Sequence, residues 1–274
     1  MTLDQHVSVR TKYNSAVLDE FDEAKRVAAK LAVDKVLDLD RHHVVGIGSG
    51  TTIVYVAQEI KKRIEKAGYD PRHRLHTFVP TGWQSRALCV ENGLPVVDLL
   101  DVDGIDIAFD GADDLDPHLN VVKGGGACLL QEKIVMKLSA YNVIVADERK
   151  ESAMLMHGEW RQGVPVEIIP QAVSLVCKQL ATAFDHPLCA KLRQGGPGKA
   201  GPVVTDNGNF VLDVSGWSGR MMNPSNVAEV ESKMKMMTGI VEVGLFSGLV
   251  DEVFVGFRSG AAKRHLSRRD TLSS

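Results

Sequence analysis

Apolar residues fall at positions 17, 18, 21, 24, 27, 28, 31 and 32. That one-sided stripe predicts an amphipathic helix over 17–37 leaning on a core, with Lys25 projecting from another face. The period then changes. Residues 43–47 form a short apolar run ending in glycine, Gly-Ser-Gly-Thr-Thr follows, and helical spacing resumes from Ile53 to about Lys66. This reads as strand, glycine turn, helix. Short apolar runs at 75–79, 95–97, 105–110 and 143–147 predict further buried strands, with helices at 84–92 and 127–138 between several of them. Such alternation implies an α/β fold: a mostly parallel sheet covered by helices on both faces.

Beyond residue 158 the rhythm differs. A proline-bounded strand at 164–170 precedes a helix at 171–183. Asn207-Gly208 between the β-rich runs of 203–212 predicts a hairpin. A helix at 226–237 and a strand at 240–243 complete a small α+β unit, and 253–256 returns to the first sheet. The glycine-rich stretch 194–201 reads as a loop. The expected organisation is a flexible segment at 1–15, an α/β domain made of 16–157 and 243–260, a smaller α+β domain inserted at 158–242, and a mobile basic tail at 261–274.

Composition narrows the classes. With 274 residues and 44% hydrophobic content, the chain can bury a full core. A formal charge of −3 provides no general basic field, so nucleic acid is not an expected partner. No run approaches the roughly 18 apolar residues of a membrane span, and the start of the chain lacks a signal-peptide pattern. The four cysteines, Cys89, Cys128, Cys177 and Cys189, form no CxxC pair and no Cys/His finger, which points to reduced thiols, no structural zinc and a cytoplasmic address.

Three motifs carry chemistry. Lys123 is followed by Gly124, Gly125 and Gly126, then by a helix with Glu132 in its early turns. Glycines let several backbone N–H groups converge on an oxygen-rich ligand at a helix N-terminus. An ordinary surface glutamate favoured by the helix dipole is the plainer alternative for Glu132. In the 46–52 turn the third glycine of GxGxxG is replaced by Thr51, so the dinucleotide fingerprint fails, and no Gly-Lys-Ser/Thr ends it. What remains suits a phosphate monoester or a plain turn. The carboxylates of 109–116 lie where a strand ends. They match neither an EF-hand nor an aspartate-nucleophile pattern, and Asp114 and Asp116 read as solvated loop charges. Asp110 and Asp113 are better placed to handle sugar hydroxyl protons, with Lys123 offsetting their charge. Together the loops describe a site for a small phosphorylated sugar. A glutamate beside an anion-stabilising loop can remove a proton α to a carbonyl. With an ordinary pKa of about 4.3, Glu132 is expected to be ionised at neutral pH and kept so by the helix terminus and the lysine.

These residues closely resemble the ribose-5-phosphate isomerase family of the A type. GIGSGTT at 46–52, FDGADDLD at 109–116, KGGGACLLQEKIV at 123–135, VADERK at 145–150, PVEIIP at 165–170, GPVVTDNGNFVLD at 201–213 and VGLF at 243–246 are similar to its blocks in its order. The resemblance implies a Rossmann-like catalytic domain, a homodimer or tetramer, and interconversion of ribose 5-phosphate and ribulose 5-phosphate without metal or organic cofactor, in the non-oxidative pentose phosphate pathway. It makes Glu132 the general base of an enediolate mechanism. Asp110 would assist ring opening, with Asp113 near the sugar hydroxyls, and Lys123 and the Gly124, Gly125 and Gly126 amides would stabilise the oxyanion. Ser49, Gly50, Thr51 and Thr52 match the phosphate-side loop. Gly111 and Ala112 fall beside the substrate, and Lys150 and Lys25 match basic residues near it. The family commonly has Glu where this chain has Asp114, and often Thr where it has Leu130. A deaminase would need a ring-opening histidine, and none of the 9 histidines lies in these motifs. An acyl transferase would need a glutamate nucleophile in another context. A non-catalytic sugar-phosphate sensor is the remaining alternative, and the segment before residue 17 is expected to be too short for its helix-turn-helix.

Overall fold

A computed structural model describes residues 21–68 and 76–266. Expectations for 1–15, Val17, Leu18, Leu75 and 267–274 lie outside the described residues. The first half runs α1 (Asp22–Val36), β1 (Val44–Ile47), α2 (Thr51–Ala67), β2 (Thr77–Pro80), α3 (Trp83–Glu91), β3 (Ile107–Asp110), the short strands β4 (Asp114–Leu115) and β5 (Val121–Val122), α4 (Leu129–Leu138) and β6 (Asn142–Asp147). The second half runs β7 (Val164–Ile168), α5 (Val173–Thr182), β8 (Cys189–Leu192), β9 (Phe210–Ser215), α6 (Val227–Lys235), β10 (Ile240–Val243), β11 (Leu245–Phe246), β12 (Glu252–Gly256) and β13 (Ala262–Leu266).

The main sheet has the order β13-β12-β6-β3-β1-β2, parallel except for β13. Its strands read as apolar runs because both faces are covered. α1 buries Ala24, Ala28, Ala29 and Ala32. Those small residues let it lie close against β12, where a side chain on Gly256 would collide with the Ala24 carbonyl. α2 buries Ile53, Val56, Ile60 and Ile64 into the same core and ends at Gly68, whose φ of 73° closes the helix. A second sheet, β10-β7-β9-β8, is antiparallel and packs its apolar face against α5 and α6. A third, β11-β5-β4, is small. The chain crosses from the second to the third at Gly244, whose N–H donates to the Pro165 carbonyl at 2.7 Å and whose carbonyl accepts from Lys123 N at 2.9 Å. A Cβ there would press on both neighbouring carbonyls, so this junction requires glycine.

Several predicted elements differ. Residues 95–97 form no strand; Val96 makes one parallel bridge to Phe78. The Asn207-Gly208 turn is present, with Gly208 at φ 80°, yet Val204 only bridges Phe210, and the ladder partners of β9 are β7 and β8. β8 carries no buried apolar face, so nothing in its sequence marks it as a strand. Residues 262–266, expected in a mobile tail, form a strand instead. β13 pairs with β12 from Glu252↔Leu266 to Gly256↔Ala262, through backbone bonds that need no apolar pattern. Lys263 meets Glu151 at 2.8 Å and Arg264 pairs with Glu252, so these cations have local partners.

Candidate active site

Parallel strands β1, β3 and β6 end on the same edge, where open α/β sheets hold ligands. β3 delivers Asp110 there as its last residue. Its Oδ1 accepts from Gly111 N at 2.7 Å and Ser49 N at 3.3 Å. Gly48 leaves room for that carboxylate, since any Cβ on it would overlap Asp110. The turn after β1 reaches α2 through Gly50, which has φ 104°. Beyond β5, Lys123 enters the glycine loop; Gly124, at φ 104°, accepts from Ala127 N at 2.9 Å, and α4 then carries Glu132 in its first turn.

Lys123 joins the carboxylates of two motifs. Its Nζ lies 3.0 Å from Asp110 Oδ2 and 3.4 Å from Glu132 Oε1, and donates to the Gly111 carbonyl at 2.6 Å. Ser49 Oγ donates to Glu132 Oε1 at 3.0 Å. Asp110, Lys123 and Glu132 are only 2%, 3% and 5% exposed. Glu132 Oε2 is buried with no hydrogen-bond partner. Asp113 turns toward the loop, where its Oδ2 accepts from Gly125 N at 2.7 Å; a Cβ on Gly125 would stand 2.6 Å from its other oxygen.

The expectation that Glu132 is comfortably ionised is corrected by this burial. Loss of hydration pushes its carboxyl up, Lys123 pulls it back, and the nearby Asp110 and Asp113 push it up again, to about 7. Burial likewise raises Asp110 despite Lys123. For Lys123 burial acts downward, but Asp110 and Glu132 outweigh it and hold the ammonium above its usual range. The site therefore contains a fixed cation and a carboxyl that can gain or lose a proton near neutral pH.

Around this cluster lies a cleft of about 140 Å³. Ser49, Gly50, Thr51 and Thr52 form one wall; Gly111, Ala112 and Asp113 form another. Gly124, Gly125, Gly126 and Lys150 complete it around Lys123 and Glu132. Lys25 is not among the residues that line this cleft. It is buried on α1 with its Nζ 3.4 Å from Asp22. Asp114 and Asp116 are not solvated charges either. Asp114 accepts from Ser152 Oγ at 2.7 Å and Met156 N at 2.6 Å, and Asp116 from His118 N at 2.8 Å and Asn120 N at 2.9 Å, so both tie buried turns. Among the described residues no cluster of three or more His, Cys, Asp or Glu is placed to hold a metal ion, and no helix is long and apolar enough to cross a membrane.

Two residues that hold the loops of the cleft gave no sequence signal. Gln84, in the first turn of α3, accepts from Gly50 N at 3.0 Å and lines the cleft. A neutral amide on a short helix carries no recognisable chemistry. Arg193 donates to the carbonyls of Gly124 at 2.9 Å and Gly125 at 3.0 Å from beneath the loop. Its partner Asp213 is brought beside it only by the pairing of β8 with β9.

A mostly parallel α/β sheet with an ammonium and buried carboxyls gathered at its strand ends is the arrangement of an enzyme acting on a small molecule. Residues 77–260 match the family described as Ribose 5-phosphate isomerase A (phosphoriboisomerase A). The chain is 44% identical over 248 residues to the ribose-5-phosphate isomerase of Eremothecium gossypii, covering 89% of this chain and 93% of that one. It is 44% identical over 245 residues to that of Schizosaccharomyces pombe, covering 89% and 83%. Among solved structures, ribose 5-phosphate isomerase A from Methanocaldococcus jannaschii superposes with a TM-score of 0.75 at 33% identity, covering 90% of this chain and 99% of that one. A D-ribose-5-phosphate isomerase in complex with phospho-erythronic acid does so with a TM-score of 0.75 at 33% identity, covering 88% and 97%. The chain belongs to the ribose 5-phosphate isomerase A family, and it is an isomerase.

Proposed function

We propose that the chain interconverts D-ribose 5-phosphate and D-ribulose 5-phosphate through an enediolate, with Glu132 as the base. The observation that carries this reading is the Glu132 carboxyl, with Oε1 held by Ser49 and Oε2 buried without a partner at the floor of the cleft. An ionised Oε2 would take the C2 proton of the open-chain aldose and return it to C1, while the hydroxyl proton passes from O2 to O1. The negative charge that develops on oxygen meets Lys123 and the loop amides other than that of Gly125, whose N–H is taken by Asp113. A base works best when its pKa lies near the working pH, as here. Asp110, raised by burial, is suited to carry a proton between the anomeric hydroxyl and the ring oxygen as the furanose opens. Asp113, which lines the cleft while accepting from Gly125 N, suits contact with the sugar hydroxyls. Gly50, Thr51 and Thr52 at the start of α2, with Lys150 opposite, suit the phosphate. A related isomerase held in complex with phospho-erythronic acid supports a phosphorylated sugar ligand.

This activity would place the enzyme in the non-oxidative pentose phosphate pathway, in the cytoplasm, and as a homodimer or tetramer by family resemblance. The test is ketopentose formation from ribose 5-phosphate with the native chain and Glu132→Gln. Turnover should fall by on the order of 10³-fold or more in the variant, with substrate binding kept. A variant that turns over normally would remove Glu132 as the base.

A further inference from the structure

Arg193 follows β8 in the second sheet, yet its guanidinium ends under the glycine loop and is 9% exposed. Nε donates to Asp213 Oδ2 at 3.0 Å and Nη2 to Asp213 Oδ1, which leaves Nη1 to fork between the carbonyls of Gly124 at 2.9 Å and Gly125 at 3.0 Å. The charge is balanced within the Arg193–Asp213 pair. Nη1, with two N–H groups, is committed to two consecutive peptide carbonyls.

Those peptides end at the N–H groups of Gly125 and Gly126. In a planar trans peptide the N–H points away from the C=O, so holding both oxygens on the Arg193 side holds both N–H groups on the other. Gly125 N–H meets Asp113 there at 2.7 Å, and Gly126 lines the cleft. Glycines impose little restraint of their own, so their direction depends on such outside contacts. A cation on a carbonyl oxygen also polarises the peptide and strengthens its N–H as a donor.

We propose that Arg193 is a positioning residue for the isomerisation: it aims and polarises the Gly126 amide at the cleft and the Gly125 amide at Asp113, and couples the second sheet to the reacting centre without touching substrate. The inference rests on the enediolate reading of the cleft. Lysine at this position would keep an ion pair with Asp213 but could not fork to two carbonyls while holding it. Steady-state kinetics of Arg193→Lys and Arg193→Met test the role, with inorganic phosphate as a competitive probe of the phosphate end. In both variants kcat should fall about 10- to 100-fold, with KM within about threefold of native and phosphate inhibition unchanged. If circular dichroism shows Arg193→Met unfolded, Arg193→Lys decides. A folded Arg193→Lys with native kcat overturns the proposal, and so does a loss confined to KM and phosphate inhibition. A native chain that fails to isomerise ribose 5-phosphate would instead bring down the enediolate reading itself; an active native chain with an unaffected lysine variant removes only the positioning role.

Discussion

Lys123 and Glu132 face each other across 3.4 Å, each at most 5% exposed. The ammonium lies closer still to Asp110, at 3.0 Å, so a single cation serves two buried carboxyls. It pulls Glu132 down, but burial and Asp110 prevail, and the carboxyl settles at about 7. The base of the proposed reaction thus titrates in the neutral range rather than the ordinary carboxylate range. Its fixed cation does not.

From this follows the pH profile. Only ionised Glu132 accepts a proton, so kcat/KM should fall about tenfold per pH unit below pH 7 and level off above it. A rate independent of pH between 5 and 8 would contradict the role.

The same shift acts on stability with the opposite sign to a salt-bridged carboxylate. The folded carboxyl, at about 7, lies above its ordinary 4.5, so between these values the native state holds a proton that the unfolded state releases. Its stability contribution is full below pH 4.5 and declines as pH rises toward 7. Glu132→Gln removes that decline, so the variant should exceed native by on the order of 1 to 3 kcal/mol at pH 8 and match it near pH 4.5. Thermal melts at the two pH values measure it.

Lys123→Met should lower kcat by about 10²-fold, as for loss of one oxyanion donor. It should also move the acid limb above pH 7, because the charge that pulls Glu132 down is gone. An unshifted limb with unchanged kcat would take Lys123 out of the mechanism.

Gly48→Ala places a methyl group where the Asp110 carboxylate stands. Asp110 would have to leave the N–H groups of Ser49 and Gly111. The expected cost is about 1 to 3 kcal/mol in denaturant unfolding. Activity should fall by roughly 10²-fold as the ring-opening carboxyl is displaced.

Lys133, next to the proposed base, is 1% exposed and binds Glu231 at 2.7 Å, Glu242 at 3.0 Å, and the carbonyls of Val243 at 2.6 Å and Leu245 at 2.8 Å. It lies 4.4 Å from the Phe246 ring centroid and fastens α4 to the chain between β10 and β11. Lys133→Met takes a buried cation from two carboxylates and two carbonyls, leaving Glu242 with Lys235 and the Val243 N–H and Glu231 with the Ser247 N–H, and should cost about 3 to 5 kcal/mol. In the folded protein kcat should change far less than with Lys123→Met, which separates anchoring from chemistry by urea unfolding and kinetics together.

Local order was legible wherever a short stretch of chain carries its own physical signal. Apolar runs marked β1, β3, β6 and β12, because a strand buried on both faces must be apolar throughout, and glycines beside hydroxyls and carboxylates marked the three strand-end loops. What required tertiary structure is whatever depends on distance along the chain. β8 and β13 exist because a neighbour offers backbone partners, which no side-chain pattern reports. Asp114 and Asp116 are buried because Ser152, Met156 and Asn120 reach them. Gln84 and Arg193 meet the loops only once α3 and the second sheet are in place. The pKa of Glu132 belongs here too: sequence supplied the carboxyl, the lysine and the helix start, whereas the depth of burial and the proximity of Asp110, which decide its protonation, arise only when three strand-end loops converge.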